Sequence, residues 1–144
     1  MQTFCVLDSD FAVRVRQSFA QQKLMATLRA EIVAVEAGRI VIEMPFAWEF
    51  TQQNGFIHAG IVTAIADSAC GYAALTLMPA DAEVLSVEFK VNLLAPAIGE
   101  KIVARAEVLK PGRMLTICRG EVFAVNAGQE KLVAAIQATM IARK

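Results

Sequence analysis

Residues 59–78 read AGIVTAIADSACGYAALTLM, an apolar run in which Asp67 is the one charged side chain. A segment of this kind forms either a helix that is buried on nearly every side or one that crosses a membrane. The membrane alternative is disfavoured, because an aspartate near the bilayer centre costs about 2.5–3.5 kcal/mol and the rest of the chain alternates like amphipathic strands. We therefore predict a buried helix and no membrane association.

The flanking segments predict the cover that such a helix needs. An N-terminal helical segment, residues 1–27, holds a one-sided helix capped by Asp8 or Ser9 and ending near Met25. The Glu36-Ala-Gly38 turn joins two strand-like runs as a hairpin, and four more runs after the apolar helix are read as a meander. The six runs are Leu28–Val35, Arg39–Phe46, Val84–Leu94, Lys101–Lys110, Met114–Val125 and Lys131–Ala142. The predicted class is α+β, an antiparallel sheet wrapped around a long central helix, which is the hotdog fold.

The run that follows the apolar helix alternates most clearly. Successive side chains of a strand point to opposite faces, so one face is predicted to be buried and the other to be wet or at an interface. The apolar set is Leu85, Val87, Phe89, Val91 and Leu93, and the polar set is Ser86, Glu88, Lys90 and Asn92.

Bulk composition excludes several classes of protein. The 144 residues are read as one domain, and 14 acidic and 14 basic side chains form no block of like charge, so no nucleic-acid partner is expected. The three cysteines lack CxxC spacing, which disfavours a disulfide framework and a zinc site. The N-terminus does not read as a signal peptide. We expect a cytoplasmic protein that needs no metal and no redox cofactor.

Asp67 is the most informative residue of the apolar helix. Burial disfavours an ionised carboxylate, so its presence requires a partner or a function. Pairing with a local polar group such as Ser68 or Thr63 is one explanation, and a ligand groove is the other. Spacing of three and four places small side chains on the same face, which permits either close packing or a thin ligand. These residues are Gly60, Thr63, Ala64, Asp67, Cys70, Gly71 and Ala74.

The start of the helix is the second candidate element. Amides near Ala59 and Gly60 lie at the positive end of the helix dipole and can polarise a carbonyl oxygen. Asp67 lies about 12 Å further along the helix, beyond the reach of an Asp side chain. A two-fold dimer with neighbouring antiparallel helices would bring the two elements together in shared sites.

The same residues resemble a known signature. Gly55-Phe-Ile-His58-Ala-Gly60 followed by Ile65-Ala-Asp67 resembles the HGG-to-LAD motif of PaaI-like hotdog thioesterases. The resemblance covers about residues 28–142 and includes Ser86–Asn92, Pro96, Gly99-Glu100 and the Lys110-Pro-Gly-Arg113 turn.

The resemblance implies a function and a role for each matching residue. It implies hydrolysis of an acyl-CoA to free acid and CoA, in a homodimer or homotetramer, with Asp67 as nucleophile or general base. The Ala59 amide, beside Gly60, takes the place of the carbonyl-polarising donor, and His58 that of an orienting residue. Further positions are implied to contact substrate or water; they are Gln52, Asn54, Gly55 and Ser86, with Gln52 and Asn54 as alternatives at one of them. By charge alone, Arg113, Lys110 and Lys90 are candidates for binding the CoA phosphates.

Other functions stay open at this point. A hotdog dehydratase or hydratase is an alternative enzyme, although HFPG and DxNPxH-like segments are absent. A non-catalytic acyl-CoA-binding protein and a ligand-free scaffold are alternatives of a different class. Cys70 and Ser68 are read as structural, because Cys70 lacks a basic partner and Ser68 lacks a GxSxG elbow.

Overall fold

A six-stranded antiparallel sheet wraps around one long helix in the computed structural model, which describes residues 1–144. The predicted α+β class and the hotdog arrangement are confirmed. A short 3-10 turn, Trp48–Phe50, precedes the long helix. The helices are α1 (Phe11–Gln21), α2 (Lys23–Thr27) and α3 (Ala59–Leu75), and the strands are β1 (Glu31–Glu36), β2 (Arg39–Pro45), β3 (Glu83–Leu93), β4 (Lys101–Lys110), β5 (Leu115–Asn126) and β6 (Gln129–Arg143).

The strand order is β1-β2-β4-β5-β6-β3, so the predicted four-strand meander is right for β4, β5 and β6 and wrong for β3. β3 pairs with β6, and β4 pairs with β2. The connection from β3 to β4 passes the start of α3, where the Ile57 amide donates to Ala97 O, before the Phe46 amide donates to Glu100 O. Alternating side chains identify a strand but do not identify its neighbours, so the sequence pattern alone cannot place β3 beside β6.

The predicted faces of β3 are also wrong in part, because the register shifts between Ser86 and Glu88. One extra residue at Val87 reverses the alternation for the rest of the strand. Ser86 is paired with Met140 and Phe89 with Ala138, whose side chains are both buried on the helix side of the sheet. Ser86 therefore shares a face with Phe89 rather than with Lys90.

The N-terminal segment contains two helices instead of one. Gln22 has an extended backbone, with φ −78° and ψ 105°, and separates α1 from α2. α1 begins at Phe11 after Asp10, and neither Asp8 nor Ser9 caps it as predicted. The Leu28 side chain is buried directly after α2, so β1 begins at Glu31. The β1–β2 turn has the expected positive φ at Gly38, 73°.

The core lies between α3 and the concave face of the sheet. Ile65, Cys70 and Ala73 are fully buried there. Gly120 of β5 lies beneath the helix, where an added Cβ would be 3.0 Å from Ile136 Cγ2 on the neighbouring strand and 3.4 Å from Cys70 Sγ. Burial raises the pKa of the Cys70 thiol far above its usual range and that of Cys118 to about 12. Both groups are therefore unreactive thiols that fill space.

Arg14 of α1 closes the far end of α3. Its guanidinium donates to Leu75 O at 2.8 Å, to Met78 O at 2.9 Å and to Pro79 O. The Asp8 carboxylate lies 3.2 Å from its Nε atom. Arg14 therefore supplies donors to carbonyls that a helix end leaves without partners.

Replacing Arg14 with Met is expected to lower the free energy of unfolding by about 2–3 kcal/mol, since three carbonyls lose their donor and the Asp8 carboxylate loses its cationic partner. Arg16→Met is the matched control, because Arg16 donates only to Ile32 O at an exposed site and should cost less than about 1 kcal/mol. Urea denaturation of both variants measures the difference. Equal losses would show that Arg14 does not close the helix.

Candidate functional site

His58 is the N-cap of α3 and organises the start of the helix. Its Nδ1 accepts from the Gly60 amide at 2.8 Å, and its carbonyl accepts from Ile61 at 2.9 Å. The Gly60 amide is therefore already bound, whereas the amide of Ala59 donates to no group of the chain. Of the two amides expected at this position, only that of Ala59 is free to polarise a substrate.

Gln52 shapes the loop that leads into α3. Its Oε1 accepts from the Asn54 amide at 2.6 Å, and its carbonyl accepts from the Gly55 amide at 3.0 Å. Gly55 has a φ of 81°, a left-handed conformation that favours glycine, and the Trp48 ring would meet a Cβ there at 3.3 Å. Gln52 and Gly55 thus stabilise the turn, while the Asn54 side chain is exposed.

A groove of about 540 Å³ adjoins the free amide, and we call it the amide groove. Its walls are mainly apolar and carry no charged side chain. Asn54 and Gly55 are not among the residues that line it. The lining residues are Gln52, Gln53, Phe56, Ile57, His58, Ala59, Val62, Leu93, Leu94, Ala95, Pro96, Ala97 and Val133.

Asp67 is half-buried, and it is paired with neither Ser68 nor Thr63. Its Oδ1 accepts from Ser86 Oγ at 2.6 Å. The bulge in β3 makes this contact possible, since it turns Ser86 toward the helix. Ser68 donates instead to Gln22 Oε1 at 3.0 Å. The structure therefore joins two residues that the motif places in the site, Asp67 and Ser86.

Asp67 also opens onto a second groove of about 530 Å³, the carboxylate groove, between α1, α3 and the start of β3. A Cβ added at Gly71 would meet nothing within 4 Å, so the small face of α3 leaves space here. Cys70 and Ala74, predicted to belong to this face, are instead buried in the core. The lining residues are Arg14, Gln17, Ser18, Gln21, Gln22, Asp67, Ser68, Gly71, Tyr72, Leu75, Ala82, Glu83, Val84, Ser86 and Met140.

The two grooves have no lining residue in common. Within one chain, Asp67 and Ser86 therefore lie together in the carboxylate groove. His58, Ala59 and Gln52 lie together in the amide groove, and the two groups of residues are apart. Arg113 is exposed in the β4–β5 turn and lines neither groove.

Sequence reasoning missed the contribution of α1 to the carboxylate groove. Gln17, Gln21 and Gln22 line the groove, yet the sequence pattern places Gln17 and Gln21 on the solvent side of a surface helix. Their regular spacing between apolar positions indicates a polar face of the helix. Spacing does not show whether that face contacts solvent or lines a groove.

Two further properties of the chain are plain. No group of three His, Cys, Asp or Glu side chains is arranged to hold a metal ion. None of the helices combines the length and apolar character needed to traverse a bilayer.

Comparison with known proteins gives the family. Residues 54–131 match the Thioesterase superfamily. A putative esterase of Saccharolobus solfataricus is 33% identical over 90 residues, which are 62% of this chain and 64% of that relative. The human protein named acyl-coenzyme A thioesterase 13 is 31% identical over 104 residues, 72% of each chain.

Solved structures agree with this assignment. A thioesterase family protein of Silicibacter pomeroyi is 52% identical and superposes with a TM-score of 0.90, covering 92% of this chain and 97% of that one. The E. coli PaaI protein from the phenylacetic acid degradation operon has a TM-score of 0.85 over 96% of both chains, and at 19% identity it shows likeness of fold alone. Together with the matched residues 54–131, these likenesses show that the chain belongs to the thioesterase superfamily and is a thioester hydrolase with a PaaI-like hotdog fold.

Proposed function

We propose that this protein hydrolyses an acyl-CoA to free acid and CoA at a site that two copies of the chain share. The observation that carries the proposal is Asp67, whose carboxylate is held by Ser86 at the edge of an open groove. The human relative, 72% of whose length matches this chain, is named acyl-coenzyme A thioesterase 13, which supports an acyl-CoA as the thioester.

The proposed chemistry uses a carboxylate and an amide. Ser86 occupies Oδ1 of Asp67, which leaves Oδ2 to take a proton from water or to attack the thioester carbon directly. The free amide of Ala59 donates to the carbonyl oxygen as negative charge develops there. If Asp67 acts as a base, the hydroxide bonds to the thioester carbon, the carbon–sulfur bond breaks, and the CoA thiolate takes the proton that Asp67 removed from water. If Asp67 attacks directly, the carbon–sulfur bond breaks to leave an acyl–Asp67 anhydride. Water then cleaves that anhydride, which releases the free acid, restores the carboxylate and supplies the proton for the thiolate. His58 acts as an orienting residue, because its ring holds the Gly60 amide beside that donor.

The edge of β3 supports a second copy as the source of the amide. β3 forms hydrogen bonds to β6 on one side only and exposes about half of the surface of Leu85, Val87 and Leu93. A long apolar edge of this kind is normally covered in a native protein. A homodimer that pairs two β3 strands is the smallest assembly that covers it.

An antiparallel β3 pair would also join the two grooves. Ser86 lines the carboxylate groove near one end of β3, and Leu93 lines the amide groove near the other end. Pairing centred on Phe89, counted residue by residue, places Ser86 opposite Asn92 of the second copy and one position from its Leu93. The Asp67 of each copy then meets the Ala59 amide of the other, and the dimer contains two equivalent sites.

Charge supports this register. Glu88 and Lys90 lie on the outer face of β3, opposite Thr139 and Gln137 of β6. A pair centred on Phe89 puts Glu88 opposite Lys90 of the second copy, twice. Centring on Lys90 would instead place two ammonium groups face to face, which is unfavourable.

The Asp67→Asn variant tests the carboxylate. It keeps the shape of the side chain but cannot accept a proton, so kcat on acyl-CoA should fall at least about 100-fold with little change in melting temperature. Release of free CoA over short, long and aryl acyl-CoA measures turnover. Asp81→Asn, at an exposed position, is the control and should retain full activity. An active Asp67→Asn enzyme would overturn the assignment, and acyl-CoA binding without hydrolysis by the unmodified protein would favour a binding function.

The Ala59→Pro variant tests the amide. Ala59 is the first residue of α3, where proline is well tolerated, and its predecessor His58 already has φ −56° and ψ 138°, as a residue before proline requires. Loss of the N–H should lower kcat about 100- to 1,000-fold. Ala59→Gly keeps the amide and should retain activity. Equal activity of the two variants would exclude this donor.

Mixing the two inactive variants tests the shared site. After unfolding and refolding together, a hybrid of Asp67→Asn and Ala59→Pro chains has one site with both groups intact. An equal mixture should therefore recover about a quarter of the unmodified activity, since half of the dimers are hybrids with one working site. No recovery would mean that each site lies within one copy.

Charge reversal tests the register of the β3 pair. Glu88→Lys should weaken the dimer, because like charges then face each other, and the double variant Glu88→Lys/Lys90→Glu should restore it. Sedimentation at a series of protein concentrations gives the dissociation constants. A double variant as weak as the single one would contradict pairing centred on Phe89.

A further inference from the structure

Helix α1 forms one wall of the carboxylate groove although it lies outside residues 54–131, which match the superfamily. Val15 is its one fully buried side chain, and the Phe19 ring packs edge-on against Tyr72 at 5.7 Å between centroids. The side of α1 that faces the groove is polar. This element is therefore positioned to affect what the groove accepts.

Part of that polar wall is satisfied within the protein. Gln22 Nε2 donates to Tyr72 Oη at 3.2 Å, and Ser68 donates to Gln22 Oε1. Ser18 Oγ also lies 3.2 Å from Tyr72 Oη. These four side chains hold α1 against α3 and keep the groove in shape.

Gln17 and Gln21 differ from this group. Both line the groove, both are exposed, and their amides form no hydrogen bond within the chain. They are one helical turn apart, so their amides are neighbours on the same face of α1. A ligand in the carboxylate groove would therefore meet donors and acceptors that have no other protein partner.

The charges of the groove indicate which part of a thioester enters it. Arg14 is paired with Asp8, and Glu83 is paired with Arg143 at 2.6 Å. Asp67 has no cationic partner, which leaves the groove with an unbalanced negative charge. The phosphates of CoA are repelled by such a site, whereas the acyl group carries no phosphate. The amide groove has no carboxylate and is the better exit for CoA.

We propose that α1 selects the acyl group through Gln17 and Gln21, favouring an acyl chain that carries a hydroxyl or similar hydrogen-bonding group over an alkyl chain of equal length. This inference rests on the proposed acyl-CoA hydrolysis. Gln17 and Gln21 are specificity-determining residues in it, and the reacting atoms remain those at Asp67 and Ala59.

A matched pair of substrates, hexanoyl-CoA and 6-hydroxyhexanoyl-CoA, tests the preference. The unmodified enzyme should show the higher kcat/KM on the hydroxylated substrate. The Gln17→Met/Gln21→Met variant keeps side-chain length and helix propensity and leaves the Ser18, Gln22, Ser68 and Tyr72 contacts intact. It should lower the ratio of the two kcat/KM values about three- to tenfold, because the larger loss falls on 6-hydroxyhexanoyl-CoA.

The control is Gln129→Met, an exposed glutamine of the β5–β6 hairpin, which should leave the ratio unchanged. The inference is overturned if the unmodified enzyme hydrolyses both substrates equally, or if the double variant keeps the preference while hydrolysis still depends on Asp67. In those cases the proposed function survives. Hydrolysis of no acyl-CoA at all would overturn the proposed function itself.

Discussion

The rest of the structure depends on one constraint: helix α3 has apolar side chains around nearly its whole circumference and must be covered. The curved sheet covers most of it, and Ile65, Cys70 and Ala73 are excluded from solvent as a result. The N-terminal helix α1 and the start of β3 cover part of the remaining surface of α3 and leave the carboxylate groove open between them. The carboxylate of Asp67 lines that groove and is half-buried there.

The same helix separates the two groups of the proposed site within one chain. The free amide of Ala59 is at the first residue of α3, and Asp67 is more than two turns further on, about 12 Å along a rigid axis. Both groups are held by neighbours, Ala59 by the His58 cap and Asp67 by Ser86, so neither can move to the other. The unpaired edge of β3 lies between the two grooves. In the proposed dimer, this edge is the surface across which the two groups meet.

Ser86 shows how a local irregularity changes chemistry. In a regular strand it would share the outer face with Lys90 and could not touch the helix. The extra residue at Val87 turns it inward, where it fixes one oxygen of Asp67 and leaves the other free. Such bulges depend on the pairing partner, here β6, and an alternating pattern read along one strand does not reveal them.

The sequence by itself determined the buried helix, the hairpin, the identity of the strands and the motif from Gly55 to Asp67, because these follow from side-chain periodicity and turn residues that are close together in the chain. Only the tertiary structure decided the strand order, the occupation of the Gly60 amide by His58, the inward turn of Ser86 and the place of Gln17 and Gln21 beside Asp67. Most of these depend on contacts between residues far apart in the sequence. Such contacts are set by which surfaces pack together to cover α3, and no local pattern contains that information.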